Sequence, residues 1–422
     1  MTEEKSLIDS MKLVHSVSVF SGVVTTCTDV VKLLRNTAGI DELSIENLRE
    51  EASRQSMKTL FYDGLIESRY PLVINDKTAH FRQSLNAEVE LRDGAMVKVL
   101  HLDYRVMSPT MMIFSLTVDN SGLTLGEITK RNSEIRRVNF YNGSARIKHV
   151  SSQFIALFET VVSVSAHCDN LDEMARSLFV GNKMYNYLLV RLPEEMDHYF
   201  SPDLLYELSA ELPIGVIKTP DSPLCPNLDY KDTILKENSI ACFSNWQGLV
   251  LNDTTCVLMK STVAEYQYQN WQVDYFEFIY INVFYINAYL VDINKRYQSS
   301  KINEDLEREY LEFDRAYNFH NISYNFLPQL IYERLRIGFE INDELTQLKE
   351  KISQYSDKEE RKNEKRVNLI LTILTALTVV SLINDGLQLF NAIGIWWLII
   401  VITLIIVITT LFVGTRYWIK KK

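Results

Sequence analysis

Apolar residues fall into three textures along the chain. In roughly residues 70–259 they come in short runs bounded by Asp, Asn, Gly or Pro. Residues 87–91, 96–104, 111–118 and 187–192 are rich in Val, Leu, Ile or Tyr and read as strands. Residues 240–243, 249–251 and 256–259 read as a closing meander, with Asn252-Asp253-Thr254 as a turn. Helical patterns at 172–180 and 203–212 separate the strand clusters. The first 65 residues are ambiguous: 14–24 fits a strand, and 45–60 a helix capped near Ser44. The prediction for residues 1–261 is an α+β (α/β) domain with a mostly sheet core.

From residue 262 the texture changes. Gly and Pro almost vanish for about a hundred residues, and apolar residues recur every three or four. Tyr268, Trp271, Tyr275, Phe278, Asn282, Tyr285 and Tyr289 fall on one stripe of a long helix. That stripe reads as packing between helices, or as a wall for a planar ligand such as adenine. Residues 303–318 read as another helix. A third, 330–355, carries Ile337, Ile341, Leu345, Leu348, Ile352 and Tyr355 at heptad-like spacing. No breaker separates it from the apolar residues that follow, so 330–390 is expected to be a single rod. Pro328 stands at an early helical position or a kink. A narrow apolar stripe on so long a rod calls for identical neighbours around an axis.

The third texture is apolar throughout. Residues 367–383 are interrupted only by Asn368, threonines and Ser381, and 393–414 carry no charge. About 20 apolar residues span a bilayer core as helix. The chain is thus expected to hold long cytoplasmic helices over 262–366 and transmembrane helices over 367–390 and 393–415. Residues 391–392 complete the outside link that begins at Asn384-Asp385-Gly386, and 416–422 form a basic tail. Arg361, Lys362, Lys365 and Arg366 precede the first span, and Arg416, Lys420, Lys421 and Lys422 follow the second. Excess Lys and Arg mark the cytoplasmic side, so both termini are expected inside. Trp396, Trp397, Tyr417 and Trp418 bracket the second span as an interfacial belt. The start Met-Thr-Glu-Glu-Lys lacks the basic and apolar regions of a signal peptide, so the large domain is expected in the cytoplasm.

Composition narrows the chemistry. The five cysteines are scattered and never form C-x-x-C, as reduced structural thiols do. A net charge of −10 argues against direct nucleic-acid binding. There is no phosphate loop, H-E-x-x-H, G-x-S-x-G or metal-spaced Cys/His cluster, and the seven histidines are dispersed. The expectation is a non-enzyme with no catalytic residues and no metal site. Asn368, Thr372 and Thr375 share one face of the first span, and Thr378 and Ser381 continue it. A polar face in lipid meets another helix or lines an aqueous pore. The second span, with only Thr403, Thr409 and Thr410, suits an outer, lipid-facing helix.

These features together resemble the CorA superfamily of cation transporters, from about residue 70 onward and best from 262. The resemblance implies a homopentamer whose first spans line the pore. The superfamily's Gly-Met-Asn at the end of the first span is missing: residues 381–386 read Ser-Leu-Ile-Asn-Asp-Gly. That ring of oxygens recognises hydrated Mg²⁺, so the mouth falls to Asn384 and Asp385. The chain looks like the divergent members associated with type III CRISPR systems. That likeness implies a multi-pass protein of the bacterial inner (plasma) membrane, acting in antiviral defence. It requires no cofactor, and a nucleotide second messenger opens or disrupts the membrane. The implied messenger is an S-adenosylmethionine–AMP conjugate bound by the cytoplasmic domain. Candidate ligand contacts are Arg105, Arg136 and Arg137, beside strand or loop sequence, and Trp246 in a turn. Two alternatives stay open: a divalent-cation transporter with a degenerate filter, and a membrane-anchored binding protein without a pore.

Overall fold

His15–Thr25 is buried at nearly every position, as a strand covered on both faces must be. It is β1, the middle strand of the sheet. A computed structural model describes residues 10–26, 29–44, 60–63, 65–66, 77–91, 94–136, 152–165, 183–299, 304–393 and 399–410. The expected helices at 45–60 and 172–180 lie wholly or almost wholly outside these residues. The chain divides into two units, Met1–Leu348 and Lys349–Lys422.

After β1 come α1 (Val30–Arg35), β2 (Asp41–Leu43), β3 (Ala79–Glu90), β4 (Met96–Ser108), β5 (Met111–Asp119) and α2 (Leu125–Arg136). Then follow α3 (Ser152–Ala156), α4 (Glu159–Val164), β6 (Tyr185–Arg191), α5 (Pro202–Ser209) and α6 (Leu228–Asn238). β7 (Ser239–Ile240), β8 (Trp246–Val250) and β9 (Thr254–Met259) close the strands. The nine form one sheet in the order β2-β3-β4-β5-β1-β6-β9-β8-β7. Only β6 and β9 pair in parallel. Each expected strand has a counterpart with shifted ends: β3 starts eight residues before the expected 87, whereas the strand expected over 240–243 is reduced to Ser239–Ile240. Trp246 departs from expectation, opening β8 rather than sitting in a turn.

Local chemistry explains several helix starts. The backbone N–H of Thr124 donates to Glu127 and that of Glu127 to the Thr124 hydroxyl, a reciprocal capping box ahead of α2. Ser201 accepts from the Leu204 N–H, and Pro202 opens α5.

One face of the sheet is covered by two apolar clusters. Phe20, Phe81, Tyr104 and Phe114 pack with Phe154 of α3, Phe158 just before α4 and Val161 of α4. Leu188, Val190 and Leu258 pack with Leu125 of α2 and Leu205 of α5. The aromatic helix covers the other face. It begins as α7 (Glu265–Gln269), passes through two π-turns, Asn270–Asp274 and Phe276–Tyr280, and continues as α8 (Ile281–Ser299). Tyr187 of β6 donates to the Trp271 carbonyl, 2.7 Å, and its ring lies 5.0 Å from that of Phe276. This helix, expected among the stalk helices, belongs to the first unit together with the sheet.

α9 (Glu304–Tyr317) and α10 (Phe326–Gly338) follow, and Pro328 falls in the first turn of α10. The expected single rod from 330 is broken here. α10 ends at Gly338, Glu340 adopts a left-handed backbone with φ 56°, and α11 starts at Ile341 and runs to Ile393. The cause is packing. A Cβ on Gly338 would stand 2.4 Å from Val250 Cγ1 and 3.0 Å from the Val250 carbonyl oxygen. Phe339 turns inward and stacks on Tyr185, 5.4 Å between centroids. The heptad-like stripe is divided as well: Ile337 is exposed, whereas Ile341, Leu345 and Leu348 are buried within this one chain. α11 is helical through Asn384, Asp385 and residues 391–392, which had been expected in the link. A last helix, α12, spans Ile399–Thr410. The basic tail and Trp396, Trp397, Tyr417 and Trp418 lie outside the described residues.

Gly338→Ala is expected to lower stability by about 1–3 kcal/mol through overpacking against Val250. Thermal unfolding checks this, and in a Val250→Ala background the same change should cost less.

Candidate functional site

Charged residues on a strand covered on both faces need partners, and β3 and β4 carry several. His80 and Arg82 lie two apart on β3, and Asp103 and Arg105 two apart on β4, so each pair shares a face. The register pairs Arg82 with Asp103 and His80 with Arg105. All four turn toward the aromatic helix, where Glu277 in the second π-turn meets them. Arg105 is 1 % exposed. Its Nε donates to Glu277 Oε1 at 2.7 Å and its Nη2 to Asp103 Oδ2 at 2.9 Å. A further contact joins Arg105 Nη2 to Glu277. Arg82 Nε donates to the other Asp103 oxygen at 2.7 Å.

Burial raises the pKa of Asp103, but the charges of His101, Arg105 and Arg82 outweigh it and hold this carboxyl well below its ordinary value. Burial also lowers the pKa of His80, against the pull of Glu277, so its imidazole is neutral at pH 7. Among the described residues, His80, Asp103 and Glu277 bring ligand atoms within 4.8 Å of one another, a spacing open to a metal ion. The charge count opposes one. Asp103 and Glu277 are already matched by Arg82 and Arg105, and Arg105 bonds both carboxylates. A divalent cation there would have to expel the guanidinium that closes the site. The group is a buried ion network tying sheet to helix.

A second buried carboxyl has no such partner among the described residues. Asp274 is fully buried in the first π-turn, and burial pushes its pKa up to about 7. Its nearest help is an amide: the Asn270 side chain can donate to Asp274 Oδ2 at 3.1 Å.

The residues singled out by sequence are placed as follows. Arg105 is enclosed in the ion network. Arg136 is buried at the end of α2, where its Nη2 donates to Asp253 at 3.1 Å and its Nε lies 3.5 Å from Glu211. Trp246 is buried against Trp271, 5.1 Å between rings. These three serve packing and charge balance inside the first unit. Arg137 lies outside the described residues. Asn368, Thr372, Thr375, Thr378 and Ser381 are all exposed on α11, as are Asn384 and Asp385. Each of the threonine hydroxyls donates to a carbonyl of its own helix: Thr372 to Asn368, Thr375 to Leu371 and Thr378 to Leu374, each at 2.7 Å. Their donors are spent and their oxygens remain as acceptors. Sequence reading passed over His80, Asp103, Asp274 and Glu277. The available signal was charge at alternate positions of apolar strands and inside an aromatic helix.

No known protein-family model, curated protein or solved structure matches the chain.

Two outcomes are expected. Glu277→Gln should destabilise the protein by about 3–5 kcal/mol, because it leaves Arg105 buried with one charge partner fewer. Chemical denaturation measures it. Asp274→Asn should stabilise in a pH-dependent way. The folded pKa of Asp274 is raised, so its stabilising contribution is present at low pH and lost as pH rises toward about 7. The gain from the amide should be roughly 2–3 kcal/mol larger at pH 8 than at pH 5, read from melting curves at both pH values.

Proposed function

We propose that this chain is a membrane effector. In this reading a cytoplasmic sensor unit, ending near Leu348, answers a small ligand, and a hairpin made by α11 and α12 permeabilises the bilayer. One contrast carries the reading. Among the described residues, two helices are long and apolar enough to cross a membrane. Glu265–Tyr297 has 89 % of its apolar window buried inside the first unit, whereas Ile341–Asp385 buries none of its own. Leu369, Ile370, Leu371, Ile373, Leu374 and Leu377 are each more than half exposed. Water-soluble surfaces do not carry apolar patches of that extent. Lipid or a neighbouring copy of the same helix satisfies them.

The finer reading rests on the resemblance to CorA-like proteins of type III CRISPR systems. It takes the assembly as a homopentamer in a bacterial inner membrane. Asn368, Thr372, Thr375, Thr378 and Ser381 line the pore, Asn384 and Asp385 form its mouth, and an adenine-nucleotide messenger such as the S-adenosylmethionine–AMP conjugate gates it. The self-bonded threonines support this use, since each presents a hydroxyl oxygen outward without requiring a partner helix. A ligand gates such a pore only by binding one state better than the other.

The test is ion flux from proteoliposomes. Flux that appears only with the messenger is the expected result, and Thr372→Phe should abolish it while ligand binding persists. Mg²⁺ flux without messenger would point to a transporter, and silence in both arms to an anchored, pore-free protein.

A further inference from the structure

The first unit holds a cavity of about 600 Å³, within the usual size of a small-molecule site. One wall is a ladder of rings from α8 and α9. Tyr289 stacks on Phe313, 3.7 Å between centroids and 12° between planes, and Phe313 on Tyr317 at 6.0 Å and 26°. Tyr285 meets Tyr317 edge-on at 4.6 Å. The β4–β5 hairpin forms another side, with the hydroxyls of Ser108 and Thr110 at 3.4 Å from each other. The lining is therefore aromatic, with hydroxyls across from it.

Its charges are unequal. The carboxyls of Asp292, Glu309 and Glu312 face the cations Arg296 and Lys77. Arg296 is committed: it donates to both oxygens of Glu309, at 2.8 and 2.5 Å, and its Nε lies 3.0 Å from Asp292. Glu312 is exposed, and no ion-pair partner for it stands among the described residues. The Tyr289 hydroxyl is buried on the cavity wall with no hydrogen-bond partner among the described residues. Among the described lining residues, a phosphate-bearing ligand would find only Lys77 and a neutralised Arg296 as cations. A positive charge would find Glu312, and a flat π-system would find the ring ladder.

We propose that this cavity binds a planar organic cation. Its ring lies against the ladder of Tyr289, Phe313 and Tyr317, its charge is held by Glu312, and a polar substituent bonds the Tyr289 hydroxyl. Ring faces attract cations, more strongly where water is excluded. The site lies wholly within the first unit and does not rest on the membrane reading.

Proflavine, a flat fluorescent monocation, is a suitable probe, titrated into the full chain in nonionic detergent. The expected result is saturable binding at one site per chain with a change in fluorescence. Glu312→Lys should weaken it by about tenfold or more. Glu195→Lys changes the net charge equally at an exposed acid that does not line the cavity, and should change affinity by less than about twofold. Both lysines sit at exposed positions, so folding is preserved. Non-saturable binding, or equal weakening by the two lysine variants, would mean general attraction to an acidic protein and overturn the proposal. So would AMP, the anionic comparison, if it bound more tightly than proflavine and gained affinity from Glu312→Lys.

Discussion

Arg105 sits where water does not reach, between Asp103 of its own strand and Glu277 of the helix that covers the sheet. None of these charges is tolerable there alone, because desolvation costs several kcal/mol per ion and only a close partner offsets it. The groups therefore arrive together, and this constraint fixes the layers. Asp103 and Arg105 share one face of β4, while Tyr104 between them points into the opposite cluster with Phe81 and Phe114. A one-residue slip of β4 would drive two charges into that apolar cluster and lift a buried ring out of it. The alternation that is only a pattern in sequence becomes, through Glu277, a lock on register and on the docking of the helix.

The π-turns let the helix meet that demand. Phe276 and Glu277 are neighbours in sequence, yet Phe276 packs on Tyr187 of β6 as well as under the Arg105 guanidinium, while Glu277 bonds Arg105 of β4. Bonds of the i→i+5 type widen the turn and slow the rotation of side chains around the axis. Adjacent residues can then serve different strands of one sheet. The same widening leaves Asp274 enclosed with an amide for company, and its raised pKa is the electrostatic cost of that geometry. Further along, α8 is clasped on its other side by α9. Asn282 donates to the Tyr317 carbonyl at 3.4 Å, and Tyr317 in turn donates to the Met107 carbonyl at 2.8 Å.

Much of this was legible in the sequence, and the failures have physical reasons. Strands with runs of Val, Leu and Ile between turn residues announced themselves, because a strand buried on both faces can hardly be spelled otherwise. The aromatic helix was legible as a helix but not as one buried all round, since a single stripe of Tyr268, Trp271, Tyr275 and Phe278 satisfies the period while Phe276, Ile279 and Ile281 are buried as well. The break at Gly338 was missed because the neighbour that leaves no room for a side chain there is Val250, far away in sequence. The expected seam of Ile341, Leu345 and Leu348 was misjudged for a related reason: periodicity reveals an apolar face but not what covers it. The ion network was invisible as a set because its members come from β3, β4 and the helix. Single charges in apolar segments were the only trace, and the same trace also marks ordinary packing, as Arg136 and its partners illustrate.

The two long apolar helices show what composition leaves undecided. Both are long and apolar enough to cross a membrane, yet one has most of its apolar window buried and the other none. The difference lies in their polar residues. The buried helix carries Asn270, Asp274, Glu277, Asn282 and Asn287, groups that need particular partners: Glu277 needs Arg105, and Asn287 Nδ2 donates to the Tyr185 hydroxyl at 3.1 Å. Such a helix is at home only against the one surface that supplies those partners. Along 367–383 the threonines close onto their own backbone. Hydroxyls bonded to their own helix place little demand on the surroundings and are tolerated in an apolar medium, which leaves Asn368 and Ser381 as the polar groups that need a partner. Self-sufficiency in hydrogen bonding, more than apolarity, therefore separates a helix suited to lipid from one suited to a protein core.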